Sequence, residues 1–470
     1  MVGKHGIGFK GAGLSVALAV SLLGSTAAMA TDGYFANGIG ARHKALAGAG
    51  VADGRDATSA ALNPAGILRA GNELDVAASL FVPLREFTGS AVDPAFGPGF
   101  TPGGTVESDR NLFLIPNIAR NWKTVGNPYF DAVTLSMSGN GGMNTTYPAI
   151  ARNTAVGNCV VPPGFPGAGG PVGSQTGVYC AGKSGVDLTQ LLISLAMAKS
   201  FGNLSVGLAP TVAAQLFAAR GISTFAGISN SPNSLSNNGH ELVFGAGLRG
   251  GLEWAVTPSL RLGATGSTKI YSQRFDDYKG LFAENGDFDI PANLQVGIAV
   301  DLSPQFTVMA DYKRIWYSGV AAISNPMTNA LNCPGIGGAD ASQCLGGANG
   351  TGFGWGDMDI LKFGMEFRAT SDLTLRAGYS YNTQQVKGRD VMFNILAPGV
   401  VQHHITGGLM YRWSPNIDLE LAGMYAPRNH VTGTEPFPLG NPTHTIDISM
   451  AQFELTAGIK YRFDSPAPLK

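Results

Sequence analysis

The segment from 452 to 463 limits the possible folds of this chain more than any other, because its side chains alternate with a period of two. Its apolar odd positions are Phe453, Leu455, Ala457, Ile459, Tyr461 and Phe463, and its polar even positions are Gln452, Glu454, Thr456, Lys460 and Arg462. This period is typical of a β-strand with two different faces. A soluble β-sandwich would have to bury the charged face, at a high cost in free energy. The pattern therefore favours a strand whose apolar side meets lipid and whose charged side meets a wet lumen.

The same alternation recurs along most of the chain. A second clear case alternates apolar Leu361, Phe363, Met365 and Phe367 with charged Lys362, Glu366 and Arg368. Segments of this kind number about fourteen, an even count as bacterial barrels have. We expect them to start near Glu73, Leu112, Phe130, Asp187, Leu204, Glu241, Leu260, Pro291, Phe306, Asp359, Leu373, His404, Ile417 and Ile448. The sequence thus predicts an all-β membrane protein built as an antiparallel outer-membrane barrel.

The connections between these segments alternate in length. Short ones carry residues that favour turns, such as Gly202-Asn203 and Ser303-Pro304-Gln305. The long polar ones are 88–110, 141–185, 218–239, 273–289, 319–357, 382–402 and 428–445. Short periplasmic turns opposite long outer loops are the arrangement expected of such a barrel.

Residues 1–30 read as a secretory signal peptide. They carry Lys4 and Lys10, an apolar run from 14 to 23, and the small residues Ala28 and Ala30. The alternative, a membrane anchor, needs about 20 apolar residues, which this run does not reach. The exported chain is therefore expected in the outer membrane of a Gram-negative bacterium, in contact with lipid and lipopolysaccharide, as a monomer.

Composition excludes several function classes. Charged residues make up 13% of the chain, about half the usual share, and the net charge is −1. No basic surface is expected, so nucleic acid is not a predicted partner. A Gly-x-Gly-x-x-Gly match at Gly245, Gly247 and Gly250 lies inside a predicted strand with no helix after it, so it does not indicate a nucleotide cofactor.

Other sites of chemistry are not indicated. The sequence shows no nucleophile elbow, no metal-binding spacing and no cofactor motif. We expect no cofactor, no metal and no catalytic residues, although a lipid-cleaving Ser and His brought together at the outer rim would leave no sequence motif. The cysteines form two local pairs, Cys159 with Cys180 and Cys333 with Cys344, which we expect to be disulfides in outer loops. Zinc binding is the weaker alternative, because neither spacing fits a zinc knuckle.

The stretch 31–72 is unlike the rest of the chain. It is too rich in Gly and Ala to form a packed core of its own, and we expect it to be a plug inside the barrel. The motifs Gly38-Ile39-Gly40, Ala47-Gly48-Ala49-Gly50, Asp53, Asp56-Ala57 and Asn63-Pro64-Ala65 resemble the FadL/TodX (OmpP1) family of outer-membrane transporters for long-chain fatty acids and aromatic hydrocarbons. Segments 115–119 and 138–147 extend the resemblance, which covers nearly the whole mature chain.

The resemblance implies a hatch and a gap in the wall. The hatch motif is Asn63, Pro64 and Ala65. The gap would be a kink in the third strand at Gly139, Asn140, Gly141 and Gly142, because glycine tolerates backbone geometry that breaks strand pairing. The alternative is an ordinary glycine-rich hairpin end.

The resemblance also implies an apolar ligand, captured by outer loops and passed to an inner pocket. The candidate groove residues are Phe217, Ile222, Phe225, Ile228, Leu281, Phe282 and Phe288; packing on each other is the alternative. Candidate cations for a fatty-acid carboxylate are Lys269, Lys313 and Lys362, and pairing with lumen acids such as Asp311 or Glu366 is the alternative. The segment after Arg220 lacks the charge that the family would place there, so an uncharged hydrocarbon stays open.

We therefore expect a signal peptide at 1–30, a hatch at 31–72, a barrel at 73–463 and a periplasmic tail at 464–470. The expected function is passive uptake of hydrophobic compounds, most of all long-chain fatty acids, with lateral release through the wall. Three alternatives stay open: uptake of aromatic hydrocarbons by the same route, a non-selective porin, and an outer-membrane lipolytic enzyme.

Overall fold

The computed structural model of the protein describes residues 32–91, 100–109, 111–124, 126–152, 159 and 176–464. The signal peptide predicted at 1–30, the first hatch residue Thr31 and the tail after Asp464 lie outside these residues. So does much of the outer loop predicted between 141 and 185.

Sixteen strands form one antiparallel sheet. They are β1 Glu73–Gly89, β2 Gly104–Glu107, β3 Phe113–Lys123, β4 Ala132–Asn144, β5 Gly185–Phe201, β6 Leu204–Arg220, β7 Glu241–Ala255, β8 Leu260–Ser267, β9 Tyr271–Ser272, β10 Asn293–Ser303, β11 Phe306–Ile315, β12 Met358–Arg368, β13 Leu373–Asn382, β14 His403–Ser414, β15 Ile417–Thr434 and β16 Thr445–Arg462. The short strands β2 and β9 only pair alongside the outer parts of β1 and β7.

The remaining strands close into a 14-stranded barrel. Closure is made by β1 and β16, which pair from Glu73 opposite Arg462 to Gly89 opposite Ile446. A closed sheet leaves no strand edge in the hydrocarbon, as a membrane requires. The predicted barrel is confirmed, and each predicted strand start lies within three residues of the observed one.

The two faces of the wall have opposite chemistry. On β12, Leu361, Phe363 and Met365 are 46 to 48% exposed on the outside, whereas the side chain of Lys362 between them is buried inside. Polar residues of the inward face include Gln295, Asp311, Glu366, Arg376 and Lys460. This apolar-out, polar-in arrangement is that of a barrel in lipid.

Short helices lie in the N-terminal segment and in the outer loops. The α-helices are α1 Gly40–Ala45, α2 Ala283–Gly286, α3 Ala321–Ser324 and α4 Val391–Asn394. The 3-10 helices are Ala57–Ala61, Pro64–Leu68, Ser223–Ile228, Pro232–Ser234, Asp276–Tyr278, Tyr317–Gly319, Met327–Asn332, Pro334–Ile336, Ala341–Gln343 and Gly388–Asp390. No helix in the described part of the chain is long and apolar enough to cross a bilayer.

Two disulfides join residues of the outer loops. Cys159 is bonded to Cys180, with Cα atoms 5.5 Å apart, and Cys333 to Cys344, with Cα atoms 4.9 Å apart. Both pairs connect residues that are near each other in sequence. The loops also share a large apolar cluster that continues down to Tyr34 and Phe35 of the N-terminal segment.

Candidate functional site

The N-terminal segment 32–72 is bonded to strands all round the barrel. Asp311 of β11 accepts hydrogen bonds from the backbone N–H groups of Gly50 and Val51, both at 2.9 Å. Three strands away, Thr406 of β14 donates to the carbonyl of Ala45 at 2.8 Å. Asn63 donates to the carbonyl of Leu252 on β7, six strands from β14, so the segment lies between nearly opposite walls of the lumen.

Asn63 fixes this segment to β7. Its Oδ1 accepts from the N–H of Ala65 at 3.1 Å and so caps the 3-10 helix that begins at Pro64. Its Nδ2 donates to the carbonyls of Val51 and Leu252, at 2.7 and 2.9 Å. Only glycine fits at Gly251, because a Cβ there would lie 2.0 Å from Asn63 Oδ1. The Asn-Pro-Ala motif thus has a structural role, as the anchor of the segment on the wall.

Buried ion pairs tie the same segment to other strands. Arg42 donates to Asp53 at 2.7 Å and to Glu366 of β12 at 3.2 Å. Lys44 pairs with Glu454 of β16. Removing one partner of a buried pair leaves an uncompensated charge, which costs several kcal/mol. These contacts make the lower part of the segment a firmly held body.

The start of the described chain is held by a different pair of charges. Asp32 is fully buried, and its Oδ2 lies 3.0 Å from both Lys313 Nζ and Lys362 Nζ. Burial by itself raises the pKa of Asp32, but the charges of Lys362 and Lys313 outweigh it and hold the pKa below its usual value. Tyr317 also donates its hydroxyl to the Asp32 carbonyl at 2.7 Å.

Strand β4 leaves the wall halfway along its length. Its ladder with β3 ends at Ser138 opposite Asn117, and its register with β5 shifts between Gly139 and Gly141. In the described chain, the β4 edge beyond Ser138 has no partner from β3. The predicted kink residues therefore coincide with a β-bulge and a break in strand pairing.

The N-terminal segment covers this break. The N–H of Ala36 donates to the carbonyl of Asn140 at 2.6 Å, and the N–H of Gly142 donates to the carbonyl of Tyr34 at 3.1 Å. Glycine is required at Gly141, because a Cβ would lie 1.5 Å from the Tyr34 carbonyl oxygen. The segment 34–36 thus takes the place of a neighbouring strand.

The outer loops enclose an apolar cavity of about 450 Å³, here called the loop cavity. Its walls include Ile222, Phe225, Leu281 and Phe282, four of the seven predicted groove residues. Phe217 and Phe288 pack behind Phe282, with ring centroids 4.7 and 4.6 Å from it. Ile228 is buried in the same cluster.

A row of aromatic rings leads from the loop cavity to the break in the wall. Phe288 lies 6.3 Å from Tyr34, which in turn lies 6.0 Å from Trp355. Trp355, Met143, Gly142 and Met450 line a cavity of about 310 Å³ beside the bulge. The aromatic rings thus connect the loop cavity with a second apolar space next to the β4 edge.

A third cavity, of about 530 Å³, lies between the N-terminal segment and the wall; we call it the lumen cavity. The residues that line it are Phe35, Ala36, Asn37, Gly38, Ile39, His43, Ala61, Leu62, Asn140, Arg249, Thr265, Asn293, Gln295 and Lys313. Unlike the loop cavity, it has a mixed polar and apolar lining. It also reaches the bulge, at Asn140.

Comparison with known sequences decides the family. The model of the family described as "Outer membrane protein transport protein (OMPP1/FadL/TodX)" matches residues 184–463, more than half of the chain. This chain belongs to that family. It is therefore an outer-membrane protein of the Gram-negative type, and the predicted resemblance to the FadL/TodX family is confirmed.

Solved structures share the fold of this FadL/TodX-family chain. The P. putida toluene transporter TodX matches with a TM-score of 0.59 at 16% identity, covering 91% of this chain and 99% of its own. The Ralstonia pickettii toluene transporter TbuX gives 0.56 at 18% identity, covering 91% and 99%. A Pseudomonas aeruginosa FadL homologue gives 0.60 at 16% identity, covering 92% and 100%. No curated protein matches the chain.

The three lysines predicted as carboxylate anchors all lie beside acids of this FadL/TodX-family chain. Lys269 pairs with Asp289 at 2.8 Å, and Lys313 and Lys362 share Asp32. The alternative of pairing with acids is thus what the ion pairs show, although Asp311 and Glu366 are not the partners. Asp311 binds backbone N–H groups of the N-terminal segment, and Glu366 binds arginines. Sequence reasoning missed Asp32, which is remote in sequence from the strands that carry its lysines.

Arg249 of β7 was also missed as a site residue. It lines the lumen cavity, and its Nε donates to Ser267 Oγ at 2.8 Å. Strand alternation does place it on the inner face, but the chemistry of its neighbours depends on how the barrel closes. No local sequence motif distinguishes Arg249 from the other inward arginines of this FadL/TodX-family chain.

Proposed function

We propose that this chain carries hydrophobic compounds passively across the outer membrane, with long-chain fatty acids as the main class. The observation that carries the proposal is the break between β3 and β4, which is covered by residues 34–36 and flanked by an apolar cavity. A covered opening in the wall beside an apolar space suits the lateral release of an apolar molecule into the bilayer.

The proposed route has four steps. A hydrophobic molecule enters the loop cavity, whose lining is almost wholly apolar. It moves along the aromatic row from Phe288 to Trp355 and into the space behind the bulge. The N-terminal segment, acting as a hatch, withdraws residues 34–36 from the β4 edge. The molecule then leaves through the wall, so no aqueous passage is needed.

Uptake of aromatic hydrocarbons is the second candidate. Two of the three structures compared above are toluene transporters, and the loop cavity carries no charged side chain in the described chain. Nothing in that cavity favours an acid over a neutral ring.

The porin and enzyme alternatives have less support. A porin needs an open lumen, whereas segment 32–72 is bonded to nearly opposite walls here, at β7 and at β14. TodX and TbuX bear the names of toluene transporters. We propose that the protein has no catalytic activity and works as a monomer in contact with outer-membrane lipid.

The test is uptake by cells that lack their own transporters of this family. Cells expressing the protein should take up dodecanoate faster than empty cells, while arabinose uptake stays at the background rate. Ile222→Glu places a carboxylate in the loop cavity and should return dodecanoate uptake to background, because an unpaired buried charge is costly. Ser223→Glu, at an exposed neighbouring position, is the matched control and should not. Arabinose entering as fast as dodecanoate would support the porin instead.

A further inference from the structure

Most inward-facing arginines of the barrel have a carboxylate partner. Arg376 pairs with Glu366 and Glu420, both at 3.0 Å. Arg261 pairs with Asp53 at 3.0 Å and also with Asp301. The lumen thus balances its charges in pairs, as a partly dry interior requires.

Arg249 is an exception. Within the described part of the chain no carboxylate lies within ion-pair distance of its guanidinium; its one hydrogen bond there goes to Ser267 Oγ at 2.8 Å. It points inward, because its neighbour Leu248 is 41% exposed on the outer face and successive side chains of a strand alternate. A cation in this position is costly unless something else compensates it.

The lumen cavity next to Arg249 contains no acid that could compensate its charge among the described residues that line it. None of the described residues that line the lumen cavity is Asp or Glu, although Lys313 and His43 line it together with Arg249. The charge of Lys313 is met by Asp32 at 3.0 Å, and His43 Nε2 lies 3.6 Å from Asp56. Arg249 is therefore the guanidinium in this cavity whose charge the described chain leaves uncompensated.

The rest of the lining suits an amphipathic molecule. Phe35, Ile39 and Leu62 supply apolar surface beside the charged and polar groups. Asn140, at the bulge of β4, lines the same space. A molecule held at Arg249 would thus lie next to the proposed exit.

We propose that Arg249 binds the carboxylate of an apolar acid in the lumen cavity and so makes the inner site selective for acids over neutral hydrocarbons. A guanidinium presents two parallel N–H donors that match a carboxylate. This inference rests on the proposed function and names its substrate class. It assigns the role to Arg249 in place of Lys269, Lys313 and Lys362, whose charges are already met by Asp289 and Asp32.

The test compares an acid and a neutral molecule of the same chain length, dodecanoate and 1-dodecanol, binding to the purified full-length protein in detergent. Arg249→Met should weaken dodecanoate binding by about tenfold or more, since a hydrogen-bonded ion pair is lost. Dodecanol binding should stay within about twofold, and Arg249→Lys should restore part of the dodecanoate affinity. Arg412→Met, at an inward arginine near the turn between β14 and β15 that lies 3.6 Å from Asp418, is the matched control and should leave both affinities unchanged.

The outcomes separate the two proposals. Dodecanoate binding that is equal in the wild type and Arg249→Met overturns the role of Arg249 and leaves the transport function standing. A wild type that binds neither molecule overturns both. An unchanged melting temperature for Arg249→Met and Arg249→Lys shows that any loss of binding comes from the site and not from misfolding.

Discussion

The loop cavity and the lumen cavity are similar in size but differ in chemistry. The loop cavity, of about 450 Å³, is walled by apolar side chains such as Phe225 and Phe393. The lumen cavity, of about 530 Å³, is lined by Arg249, Lys313 and His43 as well as by apolar residues. Apolar surface binds by area and without direction, whereas a guanidinium binds by charge and geometry. The first cavity is thus suited to collecting hydrophobic molecules in general, and the second to sorting them by charge.

The N-terminal segment lies between the two cavities, and the variant Gly141→Val should disturb it most. A Cβ at this position would lie 1.5 Å from the Tyr34 carbonyl, so residues 34–36 must leave the β4 edge. We expect hydrogen exchange at the backbone amides of residues 36 and 142 to become about tenfold faster than in the wild type, because the two hydrogen bonds across the break are lost.

The control for this variant is Gly423→Ala, since a Cβ at Gly423 has nothing within 4 Å. Its amides at 36 and 142 should exchange as in the wild type. Equal exchange at these amides in Gly141→Val and Gly423→Ala would mean that residues 34–36 do not cover the break in the wall.

Lys362→Met tests whether the lysines have a structural role while Arg249 binds the ligand. It removes one of the two cations that hold the buried Asp32, and we expect the N-terminal segment to lose about 3 kcal/mol of local stability. Hydrogen exchange of the backbone amides between 33 and 48 should therefore become faster. Dodecanoate affinity should fall less than in Arg249→Met; a larger fall would return the anchor role to Lys362.

Phe225→Ala tests the loop cavity. Phe225 stacks on Phe100 at 5.0 Å and meets Phe393 at 5.1 Å, so its loss removes part of the cavity wall. We expect dodecanoate and dodecanol binding to weaken alike, about three- to tenfold, because an aromatic contact contributes on the order of 1 kcal/mol.

Tyr129→Ala, at a side chain 80% exposed in a short turn between β3 and β4, is the matched control and should change neither affinity. If Phe225→Ala weakened only dodecanoate, the loop cavity would also sort by charge, and the contrast between the two cavities would be wrong.

The smallest expected effect is a pH dependence of hydrogen exchange in the outer loop 282–290. Burial, followed by the charge of Asp289, raises the pKa of Asp287 to about 6. Because the folded pKa lies above the ordinary value of about 3.9, Asp287 stabilises the loop below that value and loses this contribution as the pH rises through about 6. Hydrogen exchange in 282–290, corrected for its intrinsic pH dependence, should be faster at about pH 7 than at about pH 5.

The Asn side chain of Asp287→Asn cannot ionise, so the variant should remove this pH dependence. Hydrogen exchange in loop 223–228 should stay unchanged. A dependence that persists in the variant would have to come from another group, and the role of Asp287 would be wrong.

The fold was predictable because its signals are local. Alternation fixes which side chains of a strand face lipid, and turn residues such as Ser303-Pro304-Gln305 fix where strands end. The cysteine pairs, separated by 21 and 11 positions, also follow short separations. The site depends on distant contacts. Lys313 and Asp32 are 281 positions apart, and no pattern in either neighbourhood shows that they meet.

The same limit applies to Arg249. Its inward direction follows from the pleat of β7, but the lack of a nearby acid is a property of the closed barrel. One signal is present in the sequence: the neighbouring inward position is Gly251, and small inward residues on a strand leave room for another part of the chain. Asn63 occupies that room.

Most joints of this barrel are long ladders, such as the one between β1 and β16 from Glu73 to Gly89. At the bulge of β4 the joint to the N-terminal segment has two described hydrogen bonds, from Ala36 and from Gly142. At about 0.5–1.5 kcal/mol net for each bond, this joint contributes only about 1–3 kcal/mol. Lateral tension in the bilayer would part the wall here first, so the thickness and packing of the surrounding lipid become a control on how readily the protein opens.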